Sequence, residues 1–229
     1  MTTQETLDGP RLAPRSGAAD ALVVLLHGLG ADGNDLISLA PFLAQALPRA
    51  AFAAPNAPFP CDMAPVGFQW FSFQSRGLDD ILAGVARAAP LLDAFLDAEL
   101  ARCKVAPARL ALVGFSQGTM MALHVGLRRA VAPAAIVGFS GALIAPERLA
   151  RELRARPPVT LVHGDADPLV PHAALAAAEA ALAAHGVPVE STTRPGLGHG
   201  IDEVGVALAG KALAAALGAA PAGREAEEG

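Results

Sequence analysis

Three residues of this chain could act together on an acyl group. Each sits in a turn with glycine beside it. Ser116 lies in Gly114-Phe115-Ser116-Gln117-Gly118, after the apolar run Leu110–Val113 and before a helix-compatible run, Thr119–Ala130. Gly-x-Ser-x-Gly between a strand and a helix is the pattern of a nucleophile elbow. Its glycines allow a tight turn, and the serine Oγ stands clear above the sheet edge. A serine hydroxyl attacks poorly until a base takes its proton. A neutral imidazole can take that proton near neutral pH and later return it to the leaving group. His199, in Gly198-His199-Gly200, is the one of six histidines placed after the last expected strand. Its flanking glycines are expected to leave the ring exposed on a tight loop. A carboxylate on the far ring nitrogen would fix the tautomer and stabilise the imidazolium. Asp165 and Asp167, in His163-Gly164-Asp165-Ala166-Asp167, are both candidates. The residues alone leave that choice open, because Asp165 could equally cap the turn.

The order is Ser, Asp, His, with 51 residues from Ser116 to Asp167 and 32 from Asp167 to His199. Each interval has room for a strand and a helix. His163, Asp165 and Asp167 lack the later acidic ligands and the glycine of a calcium loop, so no metal is expected there. The oxyanion of an acyl-transfer intermediate needs N–H donors. One is expected from the backbone of Gln117, next after the serine. The second is expected from the loop after an early strand, His27-Gly28-Leu29-Gly30, with Leu29 the best candidate.

Elements that could position these loops follow in order. Residues 1–20 read as an irregular arm or a short edge strand. Ala21–Leu26 is a continuous apolar run suited to a strand buried on both faces. A helix is expected from Asn34 or Asp35, broken or restarted at Pro41. A short strand follows at 51–54. Residues 55–77 carry prolines, no helical period and five of the ten aromatic rings, including Trp70 and Phe71. These rings fit a pocket wall or a satellite cluster over the core. Helix is expected over 78–102, kinked or divided by Pro90. His124 shares an apolar helix face with Met120, Leu123 and Leu127, which suits a core histidine. Further strands are expected at 134–139, 159–162 and 187–193. Helices are expected at 146–154, 172–184 and 202–217, and the acidic tail 221–229 reads as frayed. Strands alternating with helices imply one doubly wound, mostly parallel sheet in a single domain, with the site at its carboxyl edge.

The bulk composition narrows the function classes. The 229 residues suffice to bury about 70% of the unfolded surface, so no disulfide or metal staple is needed. A net charge of −5 argues against nucleic acid as a partner. The basic segment Arg148–Arg156, with Glu147 before it and Glu152 within it, reads as a solvated helix face, with an anionic-lipid patch as the alternative. Mean hydropathy is +0.41, yet the longest uncharged stretch, 130–146, is interrupted by Pro and Gly. No transmembrane segment is expected. Cys61 and Cys103 make no framework, and no signal peptide is visible, so a cytoplasmic protein is expected.

Taken together, Gly114-Phe115-Ser116-Gln117-Gly118, the His27-Gly28-Leu29-Gly30 loop with Asp32-Gly33, Trp70-Phe71 and His163-Gly164-Asp165-x-Asp167-x-x-Val170-Pro171 resemble the phospholipase/carboxylesterase family. The likeness spans about residues 20–217. It implies an α/β-hydrolase fold without a cofactor. It also implies Ser116, Asp167 and His199 as a triad, which settles the carboxylate on Asp167, and Leu29 and Gln117 as oxyanion donors. The Trp-Phe match favours a pocket wall built from Met63, Trp70 and Phe71 with Leu169 and Val170. Thr119 departs from the resemblance, which has a second glycine in many members, and is expected to alter helix packing rather than chemistry. The expected activity is hydrolysis of carboxylic esters, as in a carboxylesterase or lysophospholipase. An acyl-protein thioesterase acting on S-acylated proteins is the first alternative. A hydrolase-fold binding protein that no longer catalyses is the second, and a peptidase ranks lowest. Oligomeric state stays open, and an apolar pocket mouth would allow a homodimer.

Overall fold

A computed structural model describes residues 6–75 and 77–218; the acidic tail at 221–229 lies outside them. In chain order the elements are β1 (Arg11–Leu12), β2 (Ala21–Leu26), α1 (Gly33–Ile37), α2 (Ala40–Ala46), β3 (Ala50–Ala53), β4 (Phe59–Pro60), β5 (Phe68–Gln69) and α3 (Leu78–Cys103). Then come β6 (Leu110–Phe115), α4 (Gln117–Gly126), β7 (Ala135–Phe139), α5 (Leu149–Glu152), β8 (Val159–Gly164), α6 (Ala173–Ala184), β9 (Val189–Arg194) and α7 (Glu203–Leu217).

Seven strands form one sheet in the order β1-β3-β2-β6-β7-β8-β9. All neighbours are parallel except β1, which runs antiparallel to β3 at the edge. Because side chains alternate along a strand, β2 feeds both faces. Leu22, Val24 and Leu26 pack with Val85, Leu92 and Leu96 of α3 and Leu123 of α4. Val23 and Leu25 pack with Leu36, Leu43 of α2 and Leu213 of α7. Burial on both faces is why these strands read as unbroken apolar runs. No helix among the described residues is long and apolar enough to cross a membrane.

Pro90 does not divide α3, which runs 26 residues. Proline removes one helical hydrogen bond, while the buried stripe of Val85, Ala88, Leu92 and Leu96 continues through it and holds the helix together. The N-terminal arm is tied down at its short strand: Arg11 Nε donates to Oε1 of buried Glu99 at 2.9 Å. Helix α4 stops at Gly126 instead of reaching Ala130. There the Leu127 carbonyl accepts the N–H groups of Arg154 and Ala155 instead of continuing the helix. The segment expected to be helical at 146–154 is a 3-10 turn, Pro146–Arg148, followed by the single turn α5. Within 55–77, β4 and β5 form a small antiparallel hairpin. It docks on the loop after β2 through Gly30 N–H to Phe68 O and Phe68 N–H to Ala31 O, both 2.9 Å.

Candidate active site

Strand β6 hands directly into α4 at Ser116, whose backbone sits at φ 54° and ψ −116°. A non-glycine residue there stores about 1–3 kcal/mol and needs surroundings that over-determine it. Gly118 supplies one such constraint: a Cβ on it would lie 1.8 Å from the Leu26 carbonyl oxygen. The elbow is therefore pressed against the end of β2, beside the loop that carries Leu29. Thr119 Oγ1 lies 2.7 Å from the Gly114 carbonyl and 2.8 Å from that of Phe139, and accepts the Phe139 N–H at 3.0 Å. The hydroxyl fastens α4 to the ends of β6 and β7, a packing role.

The carboxylate and imidazole come from the loops after β8 and β9. In Asp167-Pro168-Leu169-Val170 the Asp side chain closes its own turn, as the Asx-Pro pairing favours. Asp167 Oδ1 accepts the N–H groups of Leu169 at 2.8 Å and Val170 at 2.9 Å. Its Oδ2 accepts His199 Nδ1–H at 2.7 Å; His163 Nε2, hydrogen-bonded to the Val170 carbonyl at 3.0 Å, lies 3.2 Å from the same oxygen. Burial opposes the charge, but the bonds from His199, Val170 and Leu169 outweigh it and hold the Asp167 carboxyl below the usual carboxylate range. With Nδ1 committed to a carboxylate, Nε2 is the His199 nitrogen free to accept a proton. Asp165 instead takes the Gly196 N–H at 2.7 Å and stitches the β8 and β9 loops together. Those loops approach so closely that a Cβ on Gly164 would lie 2.0 Å from Leu197 O. By contrast, Gly198 and Gly200 have open space where a Cβ would lie. The His199 ring is only 14% exposed, so the flanking glycines neither meet a steric demand nor leave the ring bare.

Ser116, His199 and Leu29 line one largely apolar cavity of ≈ 520 Å³, within the usual range for small-molecule sites. The Phe115 and His199 rings lie 4.9 Å apart at its wall. Met63, Leu169 and Val170 line it as expected, with Met63 and Leu169 58% and 71% exposed at the rim. Phe73, Ile81 and Met120 complete the apolar wall. Ile81 is hidden from sequence reading because it is one more apolar residue on a helix.

Trp70 and Phe71 do not line the cavity. They are 0% and 1% exposed and pack in the core. Their work is structural. Trp70 Nε1 donates to the His27 carbonyl at 3.0 Å, which anchors the start of the Leu29 loop. Gln117 Oε1 accepts the Trp70 N–H at 3.1 Å, and Gln117 Nε2 donates to the Phe71 carbonyl at 2.7 Å. One buried amide thus links the residue after Ser116 to the segment that holds the Leu29 loop. Among the described residues, no hydrogen bond engages the backbone N–H of Leu29 or of Gln117. The sequence shows neither the side-chain role of Gln117 nor the approach of His163 to Asp167. The place of His163 two residues before Asp165 is the signal that could have found it.

His27 is buried with Nε2 accepting the Ala57 N–H at 2.9 Å and Nδ1–H donating to Gly28 O at 2.7 Å. Burial pushes its pKa below that of an ordinary histidine. His124 is pushed down to about 4 by burial and by the charge of Arg128. The unfolded chain protonates these rings near pH 6.5, while the folded chain resists, so the unfolded state binds more protons below that pH. Stability is then fully present above about pH 6.5 and declines as pH falls. Urea unfolding midpoints are expected to drop between pH 7 and 5; a flat profile would contradict the two buried rings.

A serine on a strained strand-to-helix turn, with an Asp–His pair carried by later loops of a mostly parallel sheet, is the architecture of an α/β-hydrolase. Comparison with known proteins agrees and is more specific. Residues 7–217 match the phospholipase/carboxylesterase family, and the chain belongs to it. It is 31% identical over 193 residues to acyl-protein thioesterase 1 of Schizosaccharomyces pombe, covering 79% of this chain and 83% of that one. It is 32% identical over 213 residues to a probable carboxylesterase of Oryza sativa subsp. japonica, covering 84% and 78%. Among solved structures, esterase PE8 superposes with a TM-score of 0.89 at 43% identity, covering 93% of this chain and all of that one.

Proposed function

We propose that the chain cleaves carboxylic esters through an acyl-enzyme on Ser116. His199 Nε2 takes the Oγ proton as Oγ bonds to the carbonyl carbon, and the resulting oxyanion is held by the backbone N–H groups of Leu29 and Gln117. The imidazolium, steadied by Asp167, passes its proton to the departing alkoxide. Water, activated by the same ring, then releases the acid. The acyl chain lies in the apolar cavity between Met63, Leu169, Val170 and Met120. One observation carries the proposal: the His199–Asp167 pair at 2.7 Å opens on the same cavity as the strained Ser116. Thioesters of S-acylated proteins are a second substrate class, favoured by the relative named acyl-protein thioesterase 1. The same steps would then expel a thiolate.

A fluorophosphonate probe should label the chain once, on Ser116 by peptide mapping, and a Ser116→Ala chain should take no label. Labelling elsewhere, or none, sinks the assignment. In a series of aryl esters kcat/KM should rise up to about fourfold per added methylene until the cavity fills, from about 0.8 kcal/mol per buried methylene. An S-acylated peptide run beside the series separates the two substrate classes.

A further inference from the structure

Helix α4 carries Met120 into the active-site cavity, and one turn later carries His124 out to a different one. This second cavity, ≈ 460 Å³ between α3, α4 and α5, is lined by Leu82, Ala86, His124, Arg128, Arg148, Arg151, Glu152 and Arg154. The carboxylate in that lining is already engaged: Glu152 Oε2 accepts both Nε and Nη2 of Arg128 at 2.9 and 2.6 Å. The nearby acids Asp93 and Asp97 are engaged by Arg129. Among the described residues, Arg148, Arg151 and Arg154 have no carboxylate partner. His124, which also lines the groove, has its Nδ1 buried without any hydrogen-bond partner among the described residues.

We propose that this groove is a binding site for a phosphate-class anion, held by the guanidiniums of Arg148, Arg151 and Arg154, with His124 beneath them sensing its charge. Arg148, Arg151 and Arg154 share this lining, and no ion pair among the described residues uses them. In a chain of net charge −5 this lining carries four arginines and one carboxylate. Arginine forks suit phosphate because each presents two parallel N–H donors, and the tetrahedral group has enough oxygens to meet several forks at once. A planar carboxylate satisfies one or two. His124 is neutral near pH 7 because burial and then the charges of Arg128 and Arg148 oppose its proton, with Glu152 acting the other way. An anion among those arginines would reverse the local field, so His124 reports on occupancy.

The test is an NMR titration of the His124 ring with inorganic phosphate, ionic strength being held constant with sodium chloride. The expected result is saturable, one-site binding that raises the His124 pKa by about one unit or more. The exposed pair Arg151→Glu and Arg154→Glu should weaken that affinity at least about tenfold at unchanged melting temperature, from loss of two charge-assisted contacts. A shift no larger than the chloride control, or unaltered affinity in the double variant, overturns the site. Vesicles of phosphatidylglycerol, set against phosphatidylcholine, separate the source of the phosphate. Release from anionic vesicles by inorganic phosphate assigns the groove to a lipid headgroup, and saturable phosphate binding with no vesicle binding assigns it to a free anion. Vesicle binding that phosphate does not displace reveals a diffuse charged surface and overturns the proposal.

Discussion

Asp167→Asn is expected to lower kcat for ester hydrolysis by about 10⁴, the scale seen when a triad carboxylate becomes an amide. The local hydrogen bonds dictate which way the amide must face. At Oδ1 two backbone N–H groups, Leu169 and Val170, already point inward. An NH₂ there would meet two donors, so the amide oxygen takes that side and the NH₂ turns toward His199. The ring must then accept at Nδ1 and carry its proton on Nε2, which removes the base from the serine side. Asp165→Asn retains an acceptor for the Gly196 N–H and should stay within about tenfold of wild type, since it touches no triad group. Measuring kcat on one aryl ester for both variants decides the matter. A loss of less than about tenfold in Asp167→Asn, or a larger loss in Asp165→Asn, would move the carboxylate role.

Much of the site was legible because its chemistry and its backbone demands coincide. Gly118 is glycine because Leu26 O leaves no room for a Cβ, and that same tightness makes the pentapeptide visible in the sequence. The strands were legible because burial on both faces removes every polar residue from Ala21–Leu26. The limits of α4 and of the 146–154 segment were not. They are set by Leu127 O meeting Arg154 and Ala155, a contact between distant parts of the chain.

Aromatic residues misled for a related reason. Trp70 and Phe71 sit in a proline-rich stretch next to residues that do line the cavity, Met63 and Phe73. Nothing in local sequence says which rings of such a segment face inward. Their orientation follows from the β4–β5 hairpin and from a partner 47 residues away, Gln117. Sequence reading assigned Gln117 a backbone task alone, since a side-chain amide announces no partner until the fold supplies one.

That amide yields the second large effect expected. Gln117→Leu keeps the backbone N–H and nearly the same volume, yet strands two buried groups, the Trp70 N–H and the Phe71 carbonyl. Each unsatisfied group costs about 1–3 kcal/mol. For a domain of this size each kcal/mol lowers Tm by about 2–4 °C, so a fall of about 5–20 °C is expected. Gln117→Glu should fare no better, because a carboxylate oxygen would replace the donor now 2.7 Å from Phe71 O. The catalytic effect should be smaller than losing an oxyanion donor outright, which costs about 10²–10³ in kcat. The proposed donor, the Gln117 backbone N–H, survives in Gln117→Leu, and only its alignment with the Leu29 loop, held through Trp70 and His27 O, is loosened. Calorimetry and kcat on the same variant separate the two tasks of this residue. A Tm within about 2 °C of wild type would show that the buried amide is not what fastens the elbow to the Leu29 loop.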